Sequence, residues 1–239
     1  MKKYEIYANL VFGVLILAAT ICYTEIDTSA YITKTIASVL FVLCGAFNLF
    51  CLYKNYKYDG WWKGIIMLVG LIFAMAGDIF LIDHFIFGAM LFAVGHVFFL
   101  IYFCLMQKFH LIDFILTISI IAMALLVILL YPYFEFNGML PVILAYAVII
   151  SCMLAKGIGN YISQRNTANL ITMLGAILFF FSDLMLLFFE FGGKIIIFDY
   201  LCLYTYYPGE FLLGVCILLN KNNYAKIFDP AKQAIVTKK

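Results

Sequence analysis

The sequence predicts an all-α polytopic membrane protein: a bundle of eight transmembrane helices with both termini on the cytoplasmic side. Three observations carry this. The 239 residues are 67% hydrophobic and 12% charged, with a mean hydropathy of +1.08. No water-soluble domain of this size hides so much apolar surface, because even about 300 residues bury only about three quarters of it. Polar clusters then cut the chain into eight apolar runs, each near the ~20 residues that cross ~30 Å of hydrocarbon. Finally, of fifteen Lys and Arg, all but Lys34 and Lys194 fall on the side that carries the termini, the side on which basic residues are retained.

The spans run 4–23, 31–53, 61–82, 84–107, 112–131, 139–157, 168–190 and 197–219. Lys2 and Lys3 before the first resemble a signal peptide, but no small-residue cleavage site follows closely, so the run reads as an uncleaved span. The connections are short, and Pro132 to Gly138 forms a turn. Residues 1–219 therefore make one transmembrane domain, and 220–239 a polar, lysine-rich cytoplasmic tail. The seven cysteines stand singly in apolar runs and read as small buried hydrophobes. A net charge of +2 is too small to indicate nucleic acid.

The third span runs from Gly70 almost wholly apolar until Gly77-Asp78, and the seventh repeats this from Gly175 to Ser182-Asp183. Four helices separate the two, so both run in the same direction. This predicts two parallel four-helix repeats, about 1–107 and 112–219, related by an axis along the membrane normal. Gly95-His96 against Gly209-Glu210 is a weaker match.

Ionisable groups inside spans cost roughly 2.5–3.5 kcal/mol at mid-helix, so they usually face the bundle interior and mark function. Asp78, Asp183, Lys34, His96, Glu210, Tyr146, Tyr206 and Tyr207 all fall in the outer to middle zone, and the cytoplasmic half looks almost free of ionisable groups. One polar pocket in the outer half is the economical reading. Each residue also has a plainer one: a core histidine for His96, a snorkelling stem for Lys34, and a helix-to-helix hydrogen bond for either Asp. Metalloprotease, serine-elbow and phosphate-loop motifs are missing, and three scattered histidines do not assemble a zinc site. What remains is carboxylate chemistry, with Asp78 and Asp183 the catalytic candidates, one as acid and one as anion. The other six are candidates to bind substrate.

At these residues the chain resembles the YhhN family of lysoplasmalogenases. The likeness runs through Thr33-Lys34, Gly77-Asp78-Ile79-Phe80-Leu81, and Phe87-Gly88 to Gly95-His96 and Tyr102. It continues through Tyr146 with Met153 and Ala155, Phe181-Ser182-Asp183 and Thr205-Tyr206-Tyr207. Glu210 departs from it, where the family is expected to have Gln, as does Thr35 in place of Pro. The resemblance implies hydrolysis of the vinyl ether of a lysoplasmalogen to a fatty aldehyde and glycerophosphocholine or glycerophosphoethanolamine. It implies no metal or organic cofactor, and as partners only the lysophospholipid and membrane lipids. The expected location is a bacterial inner membrane. Two other classes stay open: a proton-coupled transporter of small molecules or lipids, and a non-catalytic lipid-binding protein whose acids only hold helices together.

Overall fold

The computed structural model describes residues 1–25, 30–56 and 60–220 as eight helices and their turns. They are α1 (Lys3–Glu25), α2 (Ala30–Cys51), α3 (Trp62–Leu81), α4 (Phe85–Met106), α5 (Leu111–Leu130), α6 (Leu140–Ser163), α7 (Thr167–Phe191) and α8 (Ile196–Leu219). A π-helical turn, Leu52–Tyr56, extends α2. Each helix is long and apolar enough to cross a membrane, and no strand occurs among the described residues. Hydrocarbon offers the backbone no partners, so a helix that satisfies its own N–H and C=O groups is the form such runs must take.

Local chemistry sets several helix ends. The Asn166 side chain accepts the Asn169 N–H at 2.8 Å and opens α7. The His110 N–H donates to Asp113 at 2.9 Å and opens α5. Pro141 lies in the first turn of α6, where its missing N–H leaves no bond unmade. The turn before it reverses at Asn137 and Gly138, whose φ values of 47° and 83° explain a short polar residue followed by glycine.

Side-chain contacts fix the directions. Glu5 of α1 meets Asn55 beyond α2, Lys34 early in α2 meets Asp78 late in α3, and Lys63 early in α3 donates to the Leu105 carbonyl late in α4. The same antiparallel meetings recur between Asp113 and Lys156, Tyr146 and Asp183, and Thr172 and Asn220. Glycines let the backbones approach closely. A Cβ on Gly70 would stand 3.2 Å from the Gly95 carbonyl oxygen, and one on Gly175 3.1 Å from that of Gly209. α3 is thus seated on α4 as α7 is on α8. Across the middle, α2 packs on α8 and α4 on α6.

Seven predicted spans match within a few residues at each end. α6 runs on to Ser163, past its predicted end at 157, because Lys156 and Asn160 turn inward. Lys156 is 1% exposed and its ammonium lies 2.7 Å from Asp113, itself 1% exposed. The expectation that this half of the bundle lacks ionisable groups is therefore wrong. Glu5, Lys63, Asp113 and Lys156 are all buried there, each with a partner on a neighbouring element: Glu5 takes Asn55 at 2.9 Å and Tyr56 at 3.0 Å. Each lies within a few residues of an end of its expected span, where a charged group reads as solvated. All seven cysteines are free, four of them buried. The predicted tail lies, from 221 onward, outside the described residues.

Candidate functional site

Two clusters of polar side chains form at the end of the bundle where α3 and α7 finish, one around each aspartate. Asp78 is 3% exposed. Its Oδ1 lies 3.6 Å from the Lys34 ammonium, and its Oδ2 accepts the Ser38 hydroxyl at 2.6 Å. Lys34 and Ser38 stand one turn apart on α2, so one face of that helix supplies both partners. The Tyr207 hydroxyl of α8 closes the cluster, donating to the Lys34 carbonyl at 3.5 Å. Lys34 is 8% exposed and does not snorkel; it is the counter-ion of a buried carboxylate.

Asp183 meets different partners. Its Oδ2 accepts the Tyr146 hydroxyl of α6 at 2.5 Å and faces His96 Nε2 of α4 at 3.4 Å. His96 is fully buried, and its Nδ1 lies 2.6 Å from the Phe92 carbonyl oxygen. A carbonyl only accepts, which assigns a hydrogen to Nδ1. Nε2 then faces the Asp183 carboxyl, close enough for a proton to pass between them, and has no hydrogen-bond partner among the described residues.

Asp183 and Tyr146 are also the only ionisable side chains lining an apolar slot among the described residues. Its walls come from α3 (Leu81), α4 (Phe85, Ala89), α5 (Ala124, Ile128), α6 (Ile143, Ala147) and α7 (Leu184, Leu187). The slot is almost wholly hydrocarbon in character and includes a carboxyl group that carries a tyrosine hydroxyl and faces a histidine.

An aromatic wall separates the clusters. His96 packs on Phe179 with ring centroids 4.5 Å apart, Phe179 on Tyr206 at 5.2 Å, and Tyr206 on Tyr207 at 4.9 Å. Among the described residues no hydrogen bond or ion pair joins Asp78 to Asp183, so the single predicted pocket resolves into two half-sites. Glu210 of α8 lies within electrostatic reach of both aspartates. It is fully buried, and among the described residues neither of its carboxyl oxygens has a hydrogen-bond partner, nor does the Tyr206 hydroxyl one turn away.

All eight candidates from the sequence thus fall in or between the two clusters. Sequence reasoning missed Ser38 and Phe179. Ser38 had a signal, its position four residues after Lys34 on the same helical face; Phe179, one of 25 phenylalanines, had none.

Comparison with known proteins gives one match, to the model described as the YhhN family, over residues 29–216. That stretch holds every residue of both clusters. No curated protein and no solved structure matches the chain.

Proposed function

Because this chain belongs to the YhhN family, the family of lysoplasmalogenases, we propose that it is a membrane hydrolase that cleaves the vinyl ether bond of lysoplasmalogens. The products are a fatty aldehyde and glycerophosphocholine or glycerophosphoethanolamine. The observation that carries the reading is the apolar slot lined by Asp183, whose carboxyl lies 3.4 Å from His96 Nε2. A single-chain amphiphile has the matching form: a hydrocarbon tail for the slot and a reactive bond at its polar end.

The chemistry follows from the bond. A vinyl ether is cleaved by protonation of the alkenyl carbon distal to oxygen; the π pair forms the new C–H bond, and the ether oxygen shares a lone pair to give an oxocarbenium ion. Water adds to that cation, and the hemiacetal collapses to aldehyde and alcohol. The enzyme needs a proton donor at the carbon and an anion that stabilises the cation or takes a proton from water, the division of labour of paired carboxylates in glycosidases. Asp183 with His96 is suited to donate, because a proton can pass between them beside the slot. Asp78 is suited to the anionic role, because Lys34 and Ser38 favour its charged form. The hydrophobic walls exclude water until the tail is seated, which strengthens both electrostatic effects.

The test supplies purified full-length protein in detergent with lysoplasmalogen and follows aldehyde release. Asp78→Asn and Asp183→Asn are each expected to lower turnover by about 10²-fold or more while the protein stays folded. Unchanged aldehyde yields in both folded variants would sink the carboxylate mechanism. A saturated alkyl ether analogue has no double bond to protonate and should remain intact.

A further inference from the structure

We propose that Glu210 is a neutral carboxylic acid that stores a proton between the two aspartates and relays it from Asp78 to Asp183. The place of Glu210 in the fold is the first support. His96 follows Gly95, which meets Gly70 of α3; Glu210 follows Gly209, which meets Gly175 of α7 in the same way. Glu210 is to α8 what His96 is to α4. Correspondingly, His96 faces the aspartate of α7, and Glu210 feels the charge of Asp78 on α3 more strongly than that of Asp183. Each aspartate so has one partner from the preceding helix of its own half, Lys34 or Tyr146, and one from the last helix of the other half, Glu210 or His96.

Charge balance is the second support. The Lys34 cation offsets Asp78, and the proton that the hydrolase reading gives Asp183 and His96 makes that pair neutral. Among the described residues no ion pair is formed by Glu210, which is 0% exposed and within reach of two acids. A buried carboxylate without a partner loses its hydration with nothing in exchange, so the group keeps its proton. The ionisable groups facing it are Asp78 from α3, Tyr146 from α6, Asp183 from α7 and Tyr206 from α8 itself.

The third support is that both Glu210 oxygens are uncommitted. A carboxylic acid relays a proton by accepting one on its carbonyl oxygen and releasing another from its hydroxyl. The step rests on the hydrolase reading, in which Asp183 ends each turnover without its proton and Asp78 holds one taken from water. Passing a proton from Asp78 through Glu210 to Asp183 restores the start with no net change in protons. Proline at 208 leaves the Tyr204 carbonyl without its helical donor, one turn from Glu210, which loosens α8 locally where the relay must adjust.

Infrared spectroscopy of the full-length protein decides whether the proton is there. Protein labelled with ¹³C-carboxyl glutamate should show an isotope-shifted carboxylic acid band at neutral pH, and Glu210→Gln should remove it; a spectrum without a protonated glutamate band, or one whose band survives in Glu210→Gln, overturns the proposal. The label needs no variant, so a misfolded Glu210→Gln leaves the experiment intact. Kinetics then separates relay from scaffold. Glu210→Gln should release its first equivalent of aldehyde at the normal rate and slow several-fold in later turnovers, with KM unchanged and partial recovery in Glu210→Asp. Unaltered steady turnover removes the relay. A wild-type protein that releases no aldehyde overturns the hydrolase reading and the relay together, whereas the infrared result stands as the measure of the stored proton.

Discussion

Lys34 matters to this molecule as the counter-ion of Asp78. Both groups are under a tenth exposed, and Ser38 also donates to that carboxylate. Removing one member of a buried ion pair strands the other, typically at about 3–5 kcal/mol, whereas removing both is often nearly neutral. Lys34→Met is accordingly expected to lower the thermal midpoint sharply, and adding Asp78→Asn to restore most of it without restoring aldehyde release. Equal midpoints for Lys34→Met and wild type would mean that the pair does not form. At this scale the sequence was informative about which residues matter and silent about their partners. Apolar surroundings make a charged residue conspicuous wherever it lies in a span, so Asp78, Asp183, His96 and Glu210 were visible. That Asp78 takes a lysine and Asp183 a tyrosine and a histidine depends on helix rotation, to which composition is blind.

Among the elements, α3 to α7 form the slot, and the small residues Ala89, Ala124 and Ala147 give it its width. Ala147 is one residue from Tyr146 on α6, and it packs with Ala124 and Ile128 where the tail would lie beside the bond to be broken. Ala147→Leu adds about three methylene-sized groups to that wall without touching Asp183. It is expected to raise KM for long-chain lysoplasmalogens several-fold, to leave short-chain substrates nearly unaffected, and to keep kcat within about twofold. A uniform loss over all chain lengths would mean that the tail lies elsewhere. The eight spans were legible because hydrocarbon length fixes helix length, and only α6 outran its reading, at Lys156 and Asn160. The slot was not legible. Its walls come from five helices, with Leu81 of α3 beside residues of α4 to α7, and no sequence pattern tells a phenylalanine that faces lipid from one that faces a neighbouring helix.

For the whole molecule, the antiparallel contacts put the start of α1 and the end of α8 at one end of the bundle and both aspartates at the other. Which end faces the cytoplasm is an electrostatic question, and the expectation that the aspartate end faces outward rests on the basic residues: among the described residues only Lys34 and Lys194 lie at that end. The turns between α4 and α5 and between α5 and α6, which lie at opposite ends of the bundle, test this. In a background without the seven native cysteines, a cysteine at Asn137 should react with a membrane-impermeant maleimide added to intact cells, and one at Lys108 only after the membrane is broken. The reverse pattern would turn the slot and both half-sites toward the cytoplasm. The direction decides more than a label, because a lysolipid with one tail and a large headgroup crosses a bilayer slowly. On the proposed hydrolase reading, the leaflet that the Asp183 slot faces is therefore the leaflet whose lysolipids the protein would clear.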